Sequence, residues 1–163
     1  MIIIAAGWCI LGSCNQAASD TTSDPAFKKL STLVGGAWVG KLGKFDVNVK
    51  FVFLEDGKMI EGKGTVRDGK KVLMNMDSKF GWDPGLKQTY YLDLHGHDTV
   101  YNGHVTLRDD KLTFDFSGLI GDKGHWLSYA TFPDKDSYEF EMYEAKDGKL
   151  VPNHIGVKYH RVQ

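Results

Sequence analysis

The sequence predicts an all-β protein: an antiparallel meander of roughly ten strands closed into a β-barrel, with one short N-terminal helix. Three observations carry this. Asp56-Gly57, Asp68-Gly69 and Asp147-Gly148 are each followed by Lys and lie between runs rich in β-branched and aromatic residues. Asp-Gly is the strongest short-range hairpin signal, because a type I′ turn needs positive φ at both central residues. Further turn clusters recur at even spacing between the second and third pairs: Trp82-Asp83-Pro84-Gly85, His95-Gly96-His97-Asp98, Arg108-Asp109-Asp110-Lys111, Gly121-Asp122-Lys123-Gly124 and Pro133-Asp134-Lys135-Asp136. That rhythm leaves no room for long crossovers. Finally, the runs between turns alternate apolar and polar residues, the pattern of a strand with one wet face. A long meander must protect its two edges, and closure removes them.

The elements follow in chain order. Residues 1–13, MIIIAAGWCILGS, are apolar and uncharged. The run is too short for a spanning helix but fits the apolar core of a secretory signal. It ends in Leu11-Gly12-Ser13-Cys14, which resembles the bacterial lipobox. That resemblance implies cleavage before Cys14 and lipidation of its thiol. The positive charge that normally opens a signal is missing here, which leaves open a start further upstream. A buried strand at Ile2-Ile3-Ile4 is the competing reading. Residues 14–24 then read as the lipidated cysteine and a polar tether. A barrel domain follows at 25–163.

Its helix is predicted at about 26–33. Ser23 or Asp24 can cap it, Pro25 suits its first turn, and Phe27, Leu30 and Leu33 share a face. Gly35-Gly36 ends it. The strands are predicted at about 37–42, 45–54, 58–66, 71–82, 87–94, 99–107, 111–118, 125–132, 137–144 and 150–162. Phe45, Val47, Val49, Phe51 and Phe53 oppose Asp46, Asn48 and Lys50. Leu112, Phe114 and Phe116 oppose Thr113, Asp115 and Ser117. Tyr138, Phe140 and Met142 oppose Glu139 and Glu141. Apolar side chains pointing inward are what a barrel wall requires.

Composition excludes some functions. Twenty Lys and Arg face twenty-one Asp and Glu, so there is no basic footprint for nucleic acid. Both cysteines precede Asn15, so the domain has no internal disulfide, no thiol nucleophile and no Cys-ligated zinc site.

Gly36-Ala37-Trp38-Val39-Gly40, just after the helix, resembles the opening of calycin-type barrels: lipocalins, fatty-acid-binding proteins and nitrobindins. The resemblance implies that Trp38 packs across the closed end and that Arg161, in Tyr159-His160-Arg161, covers it. The stretch 81–90, GWDPGLKQTY, is similar to the middle hairpin of an uncharacterised bacterial calycin-like family, which also ends in a Y-x-R strand. The likeness runs over about 25–163 and implies a fold and a cavity, but no established activity.

Four sets of residues are candidates for chemistry. His95 and His97, with His104 on the next strand, have the spacing of a metal site but sit at a turn tip. The nitrobindin likeness raises haem, with His154 or His125 as its ligand. Neither metal nor haem is the favoured expectation, and no cofactor is assigned. Asp77, Asp93 and Asp115 lie inside strands, and any one facing the lumen would be a candidate acid, base or ligand contact. Finally, Met74, Met76 and Phe80, then Tyr90, Leu92 and Leu94, then Trp126 and Ser128, form apolar faces dotted with hydroxyls. Of these, Met74, Met76, Phe80, Tyr90, Leu92, Trp126 and Ser128 are the expected cavity lining.

The functional expectation is an envelope lipoprotein facing the periplasm or exterior. It is held to the membrane by lipid alone, and its barrel binds a small apolar or amphipathic molecule. Two alternatives remain: an enzyme on the same barrel using a lumenal Asp or His, and an interaction module with a filled barrel. A lumenal volume separates the last from the others. A buried carboxylate–histidine pair favours the enzyme.

Overall fold

The computed structural model describes residues 23–54 and 57–162, apart from the side chain of His154. Cys14, the signal segment, nearly all of the tether, Asp56 of the first Asp-Gly pair and the His154 side chain lie outside the described residues.

Helix α1 (Pro25–Ser31) precedes ten strands: β1 (Ala37–Leu42), β2 (Phe45–Leu54), β3 (Met59–Asp68), β4 (Lys71–Asp83), β5 (Gln88–His95), β6 (Thr99–Arg108), β7 (Lys111–Ile120), β8 (His125–Asp134), β9 (Ser137–Lys146) and β10 (Lys149–Val162). Each strand pairs antiparallel with its sequence neighbour, and β1 pairs with β10, closing the barrel. This is the predicted fold class. β1 and β2 match the expected bounds residue for residue, and most other strands run one or two residues further than expected. The extra residues extend into the turns, where hairpin pairing persists after the apolar alternation stops.

The turns differ in detail from expectation. Asp147 and Gly148 both have positive φ, 50° and 71°, as a type I′ turn requires. At the second pair only Gly69 does, at φ 57°, and Asp68 remains the last residue of β3. Asp109 and Asp110 take φ 51° and 58° with no glycine present. Aspartate tolerates this left-handed conformation better than most residues, because its short carboxylate bonds locally. Pro152 lies within β10, as the predicted strand 150–162 has it. The register shifts between Pro152 and Ile155 there, and such an irregularity accommodates a residue without an N–H.

One end of the barrel is closed. Asp24 caps α1 by accepting from the Phe27 N–H at 2.9 Å, and the same carboxylate accepts from the Thr89 hydroxyl on β5. Lys29 pairs with Asp110 at 2.7 Å and lies 4.4 Å over the Phe132 ring, tying the helix to the β6–β7 turn and to β8. Trp38 is fully buried, and its Nε1–H donates to Leu33 O at 2.8 Å. The Arg161 guanidinium sits 4.4 Å over the Trp38 ring and donates to Gly35 O and Thr32 O, each at 2.6 Å. Two glycines make room for this plug. Gly36 holds φ at 75° beside Arg161, and a Cβ on Gly40 would stand 2.6 Å from Lys158 O.

The opposite end, where β3 turns into β4, β7 into β8 and β9 into β10, has no such cover among the described residues. Val72, Leu73, Leu119, Ile120, Leu150 and Val151 are exposed there and give the mouth an apolar rim. They lie in pairs on β4, β7 and β10, spaced round that end of the barrel.

Candidate ligand site inside the barrel

The interior holds a cavity of about 170 Å³. Leu30 of α1 and Leu33 just beyond it form its floor, and its walls are mainly Val47, Phe51, Phe80, Phe114, Phe140 and Tyr159. This is close to the roughly 150 Å³ apolar cavities that accept a benzene-sized guest, and below the roughly 300 Å³ at which drug-sized pockets begin.

Apart from the phenols of Tyr138 and Tyr159, the polar lining is confined to one patch of wall. Ser78, Asp93 and His95 line the cavity, on β4 and β5. Asp93 is 3% exposed. Its Oδ1 accepts from Ser78 Oγ at 2.7 Å and its Oδ2 from Tyr91 Oη at 2.7 Å, and His95 Nε2 lies 2.6 Å from Oδ2 as a charge contact. Register explains the grouping. Ser78 stands opposite Asp93, while Tyr91, Asp93 and His95 alternate along β5 and so share its inner face. Tyr101, opposite Asp93 on β6, extends the group, with its ring edge-on to His95 at 5.3 Å between centroids. Burial, reinforced by the Asp93 charge, pushes the Tyr91 hydroxyl well above its ordinary value. Burial and then Asp122, which accepts from it at 3.2 Å, push Tyr101 up to about 12. Both phenols therefore remain neutral donors under ordinary conditions.

The expected lining residues divide. Met74, Met76 and Phe80 line the cavity. Trp126 and Ser128 stand in register with Phe116 and Phe114 on β7, on the inner face of β8, but neither reaches the cavity surface. Ser128 is fully buried, and its Oγ has no hydrogen-bond partner among the described residues. Tyr90 and Leu92 are on the outer face, which corrects the expected lining on β5. Leu92 stands opposite Lys79 and Asn102, Tyr90 packs edge-on to His104 at 6.2 Å, and Leu94 is exposed. Tyr90, Leu92 and Leu94 are more apolar than Thr89, Tyr91 and Asp93, so hydropathy alone selects the wrong face. The inner face is buried through hydrogen bonds instead.

The other candidates separate as well. Asp77 is on the outside, bonded to Lys79 at 2.8 Å in a ladder with Glu61 and Lys63. Asp115 is exposed and pairs with His125 at 2.6 Å. His104 faces Asp83 at 3.4 Å, and His97 is exposed in the β5–β6 turn. The three histidines of the suggested metal set therefore do not converge. Among the described residues no group of three or more His, Cys, Asp or Glu is placed to hold a metal ion.

Sequence reasoning singled out Asp93 but missed Ser78, Tyr91 and the role of His95. The signal was present as Tyr91-x-Asp93-x-His95, three polar-tipped residues at strand period two, and as a serine on the apolar face of Met74, Met76 and Phe80. Together, fold and interior define a closed ten-stranded antiparallel barrel with an apolar cavity and one hydrogen-bonded Asp–His pair in its wall. Neither the models of known protein families nor the curated proteins give a match to this chain.

Proposed function

We propose that the chain is a calycin-like bacterial envelope lipoprotein whose barrel binds a small apolar or amphipathic molecule. The observation that carries this reading is the apolar cavity with a single polar patch, the composition of a small-molecule pocket. The closed end supports the calycin likeness, since Trp38 is covered by Arg161 there. The apolar rim supports loading from a lipid surface, because an apolar guest then reaches the mouth without crossing water. The volume favours a guest of benzene-like bulk over haem or a long acyl chain. The test is titration of short amphipaths, an environment-sensitive apolar dye and haem, read by tryptophan fluorescence. Saturable binding by the short amphipaths supports the reading, and its absence for every probe refutes it.

Met76 lines the cavity and packs on Gly64, where a Cβ would stand 2.8 Å from Met76 Cε. Met76→Trp should fill the space and lower affinity at least about tenfold while the barrel stays folded. Unchanged affinity in the folded variant would remove the cavity as the site. For the anchor, Cys14→Ser should move the protein from membrane to soluble fractions. Retained membrane attachment would count against lipidation.

An acid–base enzyme is the second reading, and Asp93–His95 is the observation in its favour. A buried carboxylate that holds one ring nitrogen of a histidine fixes its tautomer and readies the other nitrogen as a base. Ser78 donates to Asp93 rather than to His95, so these three do not form a nucleophile triad.

A further inference from the structure

We infer that the cavity selects uncharged guests bearing a hydroxyl, small alcohols or phenols, and discriminates against carboxylates. The inference rests on the cavity being a ligand site and names the chemistry it reads.

The residues that face the guest set the charge rule. Among the described residues lining the cavity, Asp93 is the one carboxylate and His95 the one imidazole, and no Lys or Arg joins them. A carboxylate guest would meet an existing carboxylate in an apolar enclosure and find no guanidinium or ammonium to pair with. Burying an unpaired charge costs far more than so small a contact area returns.

A cation is disfavoured for a different reason. Asp93 is nearly inaccessible and already accepts from Ser78, Tyr91 and His95. An ammonium guest would have to displace one of these donors and leave it unpaired in the wall.

Besides the phenols of Tyr138 and Tyr159, the group that can read a guest is His95. Its Nε2 lies 2.6 Å from the Asp93 carboxylate, a separation that favours the proton on that nitrogen, so in the neutral ring the other nitrogen, Nδ1, is an acceptor. An acceptor beside an apolar cavity calls for a donor on the guest, and a hydroxyl supplies one without bringing charge. A guest with a hydroxyl gains a hydrogen bond to this half-buried acceptor that its ether isomer cannot make.

The test is a set of six-carbon probes titrated into the full chain at about pH 8, above the ordinary imidazole range. The probes are 1-hexanol, its isomer methyl pentyl ether, hexanoate and hexylammonium, with affinity read from NMR shifts of interior methyl groups. Hexanol should bind about tenfold more tightly than the ether, the worth of one hydrogen bond, and hexanoate should not saturate. In His95→Phe, which keeps a ring but loses the acceptor, the two neutral probes should come within about twofold of each other. Equal binding of alcohol and ether to the unaltered chain would overturn the inference and leave the cavity reading standing. Tightest binding of hexanoate or hexylammonium would overturn it too. Binding of none of the four would overturn both. The comparison in the unaltered chain decides the matter even where the variant does not fold.

Discussion

Trp38→Ala is expected to lower the stability of the barrel by about 3–5 kcal/mol, measured as a shifted midpoint in urea unfolding followed by circular dichroism. The residue is 1% exposed, and its ring is held from several sides. Tyr138 meets it edge-on at 5.0 Å between centroids, Arg161 covers it at 4.4 Å, and its Nε1–H satisfies Leu33 O at 2.8 Å. Truncation removes the largest buried side chain at the closed end and orphans the carbonyl that ends the helical segment. It also strips the guanidinium of its platform, although the Arg161 bonds to Thr32 O and Gly35 O do not depend on the indole. Alanine leaves most of the indole volume empty, and such a cavity relaxes only in part. A loss below about 1 kcal/mol would show that the end of the barrel is not held by this plug.

Why some of this was legible in the sequence follows from the kinds of signal involved. Hairpin turns are local: Asp109-Asp110 and Asp147-Gly148 encode their positive φ in two adjacent residues, so strand count and order follow from the chain alone. Clean alternation places side chains wherever one face is plainly apolar, as with Phe114 and Phe116 against Asp115. β5 is the exception. Both of its faces are substantially apolar, and the inner one contains the carboxylate. What decides its orientation is non-local: Ser78 on β4, Tyr101 on β6 and the capping Asp24 that receives the Thr89 hydroxyl. No window along β5 contains those partners. The candidate site was hidden for the same reason. Asp77, Asp93 and Asp115 look alike in sequence, each within a strand and near apolar residues, and only the closed barrel puts one inside and two in water.

Asp93→Leu should be the other severe substitution, with a loss of about 3–5 kcal/mol on the same measurement. Leucine matches the volume of the carboxylate well enough to leave no large void, so the cost arises from hydrogen bonding. Ser78 Oγ, Tyr91 Oη and His95 Nε2 would all lose their acceptor in a wall that water reaches poorly. Asp115→Ala, which breaks an equally short contact with His125 in solvent, should be indistinguishable from the unaltered protein. The informative comparison is a variant that removes the whole network together: Ser78→Ala, Tyr91→Phe, Asp93→Leu and His95→Phe. No donor is then left without an acceptor, and replacing a complete buried polar group by apolar side chains of similar volume is often neutral or stabilising. Most of the stability lost in Asp93→Leu should return. The combined variant should nevertheless bind hexanol no better than its ether. That pair of results would separate the two roles of the cluster. A network that the fold can do without, but guest discrimination cannot, is held in the barrel wall for what it recognises. Failure of the combined variant to recover stability would instead make the cluster a structural part of the core.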